Sequence, residues 1–230
     1  MTAYGNRVLS ALAQEDLSLF AADLEGFSYP ERKFVERPGE AIEYIHFPET
    51  GFVSIVAANG PRHKMEIAMI GAEGMTGIPV VLGDNQSPNE TYTQAATTGH
   101  RLKADILRQV LARRPAVLQI MSRYALAFLN QTTQIALANG HARIDQRLAR
   151  WLLMAMDRLG SVDLPLTHEL MAVMLGVRRP GVTDALHRLE GDGLIRARRG
   201  VVTIRDRPAL ERKSAGCYGA AEAEYRRLMG

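Results

Sequence analysis

Arginine carries the cationic chemistry of the last third of this 230-residue sequence, where Lys213 is the one lysine after residue 140. Arg178, Arg179, Thr183, Asp184, His187 and Arg188 fall at spacings that put them on one side of a helix over 179–190. Arg198 and Arg199 follow just before Gly200, where the chain reads as a tight turn. A guanidinium is planar, permanently charged and donates its N–H groups as a fork, so it matches phosphate oxygens and the O6/N7 edge of guanine. Such a set recognises a polyanion and does no bond-making. The charge distribution agrees: residues 1–140 hold 12 Lys/Arg against 14 Asp/Glu, and residues 141–230 hold 16 against 11. A basic C-terminal third points to nucleic acid before other partners.

A basic rod of this kind must be held facing outward. Thr167 suits a helix N-cap, with Glu169 in the first turn, and Gly176 ends that short helix. Pro180 opens the next helix at its first position, and Val182, Leu186 and Leu189 form its inward stripe. The two helices must approach closely, which the small Ala172 permits. Met171, Leu175, Val177, Val182 and Ala185 then close a miniature core beneath them. Gly191-Asp192-Gly193 stops the second helix, and Leu194-Ile195 and Val201–Ile204 read as two strands around Arg198-Arg199-Gly200. An earlier helix over His141–Leu159 carries Ile144, Leu148, Leu152 and Met156 in one stripe, stops at Gly160, and leads into an extended Leu164-Pro165-Leu166. Helices followed by a basic hairpin make a winged helix-turn-helix, whose second helix fits the major groove of duplex DNA. Thr167, Arg178, Arg179, Thr183, Asp184, His187, Arg188, Arg198 and Arg199 are the expected DNA contacts.

The remaining elements place this module. Leu9, Leu12, Leu17, Phe20 and Leu24 recur at helical spacing between Arg7 and Leu24. From Phe34 to about Ala104, β-rich runs at Ile42–Phe47, Phe52–Ala57, Met65–Met69, Val80–Leu82 and Thr91–Ala96 alternate with turn residues, among them the hairpin pair Asn59-Gly60. This is the texture of a β-roll, jelly roll or small barrel. Pro115 then begins a long helix in which Leu118, Met121, Ala125, Phe128, Thr132 and Ile135 form a seam at spacings of three and four. Val117, Ile120, Tyr124 and Leu137 give the helix a second apolar face. Two faces need two partners, and the seam is expected to pair two copies of the chain. Asn139-Gly140 is the expected helix end. The fold class expected is α+β. A sensor β-roll with N-terminal helices spans 1–114 and a dimerisation helix 115–140. The winged helix-turn-helix covers 141–207, and a helical tail runs over 208–230.

Composition narrows the function classes. Hydrophobic residues make up 47% and charged residues 23%, the balance of a globular protein. Apolar runs are too short for a membrane span of roughly 20 residues, and Met1–Ala13 lacks a secretory signal pattern, so a cytoplasmic location is expected. The single cysteine, Cys217, excludes an intrachain disulfide framework and a four-cysteine iron–sulfur site. The alternatives are a cupin-like metal enzyme and a ligand-binding module without DNA binding. Against the enzyme, His46, His63 and His100 stand isolated with no His-x-His pair, and no P-loop, Gly-x-Ser-x-Gly or dinucleotide motif is present.

The segments DQRLARWLLMAMDRLG, LTHELMAVMLGVRRPGVTDALHRLEGDGLI, RPGEAIEYIHFPETGFVSI and MIGAEGMTGIPVVLG together resemble the Crp/Fnr transcription regulators, over nearly all of residues 7–207. The resemblance implies a homodimer on a near-palindromic operator, contact with RNA polymerase, and a signal at the β-roll relayed through the long helix. It places Arg179 where family members commonly carry a guanine-reading Arg, while Pro180 and Asp184 depart from the usual pattern. Nucleotide-binding members use a Gly-Glu pair and an Arg-Ser pair. Here Gly74-Met75-Thr76-Gly77 lacks the Glu, and Glu90-Thr91 falls near the phosphate position, so neither cAMP nor cGMP is expected to bind and no cofactor is expected.

Overall fold

The computed structural model describes residues 4–60 and 63–230. It divides into two compact units, Met1–Ile55 with Ala68–Leu129 and Glu224–Gly230, and Val56–Ile67 with Asn130–Ala223.

The first unit opens with two single-turn helices, α1 (Arg7–Ser10) and α2 (Gln14–Leu17). Asn6 caps α1 by accepting from the N–H groups of Val8 and Leu9, and its amide donates to the carbonyls of Pro48 and Gly74. One side chain thus pins the N-terminal segment to a β-roll strand at Pro48 and to the loop at Gly74. The strands are β1 (Glu25–Tyr29), β2 (Phe34–Glu36), β3 (Tyr44–Thr50), β4 (Val53–Ala58), β5 (Lys64–Ile70), β6 (Glu90–Thr93) and β7 (Thr97–Lys103), of which β4 and β5 are shared with the second unit. They form a three-stranded sheet in the order β1-β7-β3 and a four-stranded sheet in the order β2-β6-β4-β5. Pairing is antiparallel, with Ile45 opposite Leu102, Phe27 opposite Gly99 and Phe34 opposite Tyr92. Ile45, Phe47, Met75 and Leu102 meet Val8, Leu9 and Phe20 and the helical residues Leu107, Val117, Met121 and Tyr124 in one buried core.

The expected strand at Val80–Leu82 is instead part of a one-turn helix, α3 (Ile78–Val81). Pro79 sits in its first turn, where its fixed φ suits a helix and its missing N–H costs nothing. Strands β1 and β7 lie outside the runs read from the sequence, because Glu25–Tyr29 and Thr97–Lys103 mix Gly and polar residues with their apolar ones. Helix α4 (Ala104–Arg113) was also unforeseen; it buries Leu107, Val110 and Leu111.

Helix α5 (Pro115–His141) starts at the expected proline but continues through Asn139-Gly140. Gly140 is absent from the glycines with positive φ, and the Ala142 N–H still bonds to the Ala138 carbonyl at 2.9 Å. The break falls at Arg143, whose extended backbone starts α6 (Ile144–Leu159), three residues later than the sequence suggested.

The second unit adds β8 (Asp163–Leu164), α7 (His168–Leu175), α8 (Arg179–Gly191), β9 (Ile195–Arg198), β10 (Val201–Ile204), α9 (Arg207–Lys213) and the start of α10 (Ala220–Met229). Its sheet runs β8-β10-β9, with Val202 opposite both Leu164 and Ala197. Leu148, Leu152, Met171, Val182, Leu186, Leu189, Ile195 and Val202 are all buried.

Candidate nucleic-acid interface

Thr167 begins the site. Its hydroxyl oxygen accepts from the Leu170 N–H at 3.2 Å and so caps α7. Gly176 closes that helix with φ +61°, and its N–H and that of Val177 return to the Val173 and Ala172 carbonyls. A side chain here would be strained by the positive φ, and its Cβ would lie 3.0 Å from the Met65 sulfur. The positive φ therefore favours glycine at this turn, and a larger residue would also have to shift the Met65 side chain.

The reversed chain enters α8 with Arg178 as an extended N-cap residue, Arg179 first and Pro180 in the first turn. Val182, Ala185, Leu186 and Leu189 are its buried stripe. Arg178, Arg179, Asp184, His187 and Arg188 are exposed, so the two faces divide as the spacing requires. Thr183 is half-buried: its hydroxyl donates to the Arg179 carbonyl at 3.2 Å and lies 3.0 Å from the His168 ring nitrogen. With its proton committed to the backbone, Thr183 braces α7 against α8 as well as bordering the exposed face.

Beyond α8, the Ala197 N–H donates to the Glu190 carboxylate at 3.0 Å, which ties the wing to the end of the helix. Lys213 of α9 bonds Asp192 at 2.7 Å and also lies 3.4 Å from the almost fully buried Asp145. Burial pushes the Asp145 carboxyl up, but hydrogen bonds and charge from Arg143 and Lys213 outweigh it, leaving that group below the usual carboxylate range. Arg198 and Arg199 are exposed at the tip of the wing.

Arg196, exposed on β9, was missed in the sequence reading. Its signal was available: two residues before Arg198 on a strand, it shares that residue's face. Among the described residues, Arg178, Arg179, Arg188, Arg196, Arg198 and Arg199 have no carboxylate partner. Unpaired guanidiniums on an exposed helix and hairpin make a surface suited to phosphates and base edges.

The seam residues on α5 fall in two groups. Met121, Ala125 and Ile135 are buried, while Phe128 and Thr132 are half-buried and Leu118 is exposed. The exposed apolar stripe is Leu118, Leu126, Leu129 and Leu137, spaced eight, three and eight residues apart, which returns to one side of a helix. The heptad template placed the stripe about a quarter-turn away, because Met121 and Tyr124 already face the β-roll core.

In the β-roll, the Glu36 carboxylate is buried. Its oxygens accept from the Gly77 N–H at 2.7 Å, the Thr91 hydroxyl at 2.9 Å and the Ser87 hydroxyl at 3.1 Å. Among the described residues, no group of His, Cys, Asp and Glu is arranged to hold a metal ion, and no helix is long and apolar enough to cross a membrane.

Residues 146–213 match the model of the Crp-like helix-turn-helix domain. The chain is 23% identical over 195 residues to the global nitrogen regulator of Nostoc sp., covering 81% of this chain and 87% of that one. Its fold is shared with a Crp/Fnr-family protein from Eubacterium rectale, at a TM-score of 0.74 and 16% identity, covering 91% of this chain and 98% of the other. It is shared too with the c-di-GMP-responsive global regulator CLP of Xanthomonas campestris, at 0.70 and 19%, covering 84% and 100%.

Proposed function

From a chain that carries a Crp-like helix-turn-helix domain within the fold of the Crp/Fnr regulators, we propose a homodimeric, sequence-specific, DNA-binding transcription regulator. The observation that carries this reading is the exposed, unpaired guanidinium face formed by α8 and the wing. Helix α8 enters one major groove. Arg179 and Arg188, with Asp184 and His187, face base edges, and Arg178 lies where phosphate approaches the helix N-terminus. Arg196, Arg198 and Arg199 hold the backbone and set register. The Leu118–Leu137 stripe pairs two copies, which puts two recognition helices on half-sites about one turn (~34 Å) apart.

This reading divides the chain into a sensor, a pairing helix and a DNA reader, acting in the cytoplasm where promoter DNA lies. RNA polymerase is the further partner that such a regulator meets at a promoter. In the β-roll, Glu36 places negative charge on the Gly77 N–H and the Ser87 and Thr91 hydroxyls, donors that an incoming phosphate would need. This supports a sensor that takes neither cAMP nor cGMP.

The test is selection of binding sites from a randomised duplex pool by the purified full-length protein, followed by titration of the selected site and a scrambled one. Enrichment of an inverted repeat, with binding at least about a thousandfold tighter than to scrambled DNA, is expected. Failure to enrich any duplex overturns the proposal.

A further inference from the structure

A cleft of about 290 Å³ opens in the first unit, lined by residues of β2, β3 and the loop between them together with Tyr29 and Arg101. That size is at the lower end for small-molecule sites. Its polar anchor is His46, which is only 4% exposed and yet lines the cleft. One ring nitrogen, Nδ1, lies 3.4 Å from the Thr76 hydroxyl; among the described residues, Nε2 has no hydrogen-bond partner. We propose that this cleft binds a small planar aromatic carboxylate.

The walls supply the aromatic half of the argument. Tyr29, Phe34 and Tyr44 line the cleft, and the rings of Phe27, Tyr29 and Tyr44 lie 5.3, 5.7 and 6.4 Å from that of His46. A flat ring gains from edge-to-face contact with such walls.

The charges supply the other half. The Arg37 guanidinium stands 4.3 Å over Phe34 and the Lys33 ammonium 5.9 Å from the centre of Tyr29, and neither has a carboxylate partner among the described residues. Arg101 is 4.2 Å over Tyr44, but its donors are taken by Glu25 and the Tyr29 hydroxyl. Of the lining carboxylates, Glu36 is held by Gly77, Ser87 and Thr91, while Glu40 and Glu43 are exposed at the rim, where water screens them. The cations thus stand against the ring faces, where a ligand's carboxylate would lie. Burial, followed by the charge of Arg101, pushes the His46 imidazole down to about 3. It stays neutral near pH 7 and offers Nε2 as a hydrogen-bonding group without adding charge.

The experiment is a calorimetric titration of the full-length protein with benzoate, benzylamine and cyclohexanecarboxylate, with the His46 ring signals followed by NMR. Saturable binding of benzoate, one per chain, with shifted His46 resonances is expected, and weaker binding of the other two. His46→Phe keeps an aromatic ring in place and should weaken benzoate roughly tenfold, as loss of one hydrogen bond would. Lys33→Gln with Arg37→Gln, both exposed, should also weaken it at an unchanged melting temperature. Equal binding of benzylamine overturns the carboxylate preference, and equal binding of cyclohexanecarboxylate overturns the aromatic one. No saturable binding of benzoate at millimolar concentration overturns the site.

Discussion

Trp151 of α6 donates its indole N–H to the Glu66 carboxylate at 2.7 Å, and both side chains are buried. The bond fastens β5 to α6, the helix that leads into the helix-turn-helix module. Trp151→Phe keeps much of the apolar bulk and removes the donor. It should lower stability by about 1.5–3 kcal/mol, the range for hydrogen bonds to charged groups. Urea denaturation reads this directly, and a loss within error of zero would show that Glu66 finds an equal partner elsewhere.

Arg179→Ala should cost about 1–3 kcal/mol on the selected operator and little on scrambled duplex. Competition titrations at fixed salt distinguish the two. Equal losses on both would assign Arg179 to phosphate contact.

The wing should behave differently. Arg196→Ala and Arg198→Ala should each weaken operator and scrambled DNA alike and reduce the slope of log K against log salt by about one. An unchanged slope would take that residue out of the interface.

Leu129→Asp places a charge in the middle of the exposed leucine stripe on α5 and should give monomers in sedimentation at micromolar concentration. Met121→Asp would instead damage the monomer, since Met121 is buried in the β-roll core. A dimer that survives Leu129→Asp would move the pairing surface elsewhere.

Asp145 gives a pH signature. Its carboxyl is held below its ordinary range in the folded protein, so its stabilising contribution is complete above the unfolded value and fades as pH falls through the depressed folded one. Melting temperatures measured from pH 7 towards pH 3 should fall more steeply for the native protein than for Asp145→Asn. Parallel curves would show that Arg143 and Lys213 do not act on this group.

The sequence made the DNA-reading module legible nearly to the residue, because each of its parts answers to local chemistry. Thr167 is a cap, Gly176 a left-handed turn, and Val182, Leu186 and Leu189 a stripe. The β-roll was legible as a texture only. Glu25–Tyr29 becomes a strand through its pairing with Thr97–Arg101, a partner about seventy residues away whose role no local pattern announces. Likewise, α5 offers more apolar residues than one face can use, so Met121 and Leu129 could be sorted only once the core was assembled. The neighbours of Glu36 and His46 were invisible for the same reason: Gly77 and Thr76 lie 41 and 30 residues away in sequence.

The arginines with no carboxylate partner among the described residues have a thermodynamic corollary. Like charges held close on α8 and the wing repel one another, so the unliganded domain sits below the stability its packing alone would give it. Any polyanion that settles on that face relieves the repulsion and, by mass action, favours the native state. With duplex DNA, or heparin as its stand-in, the melting point should therefore climb as polyanion is added in dilute buffer and climb far less in concentrated salt.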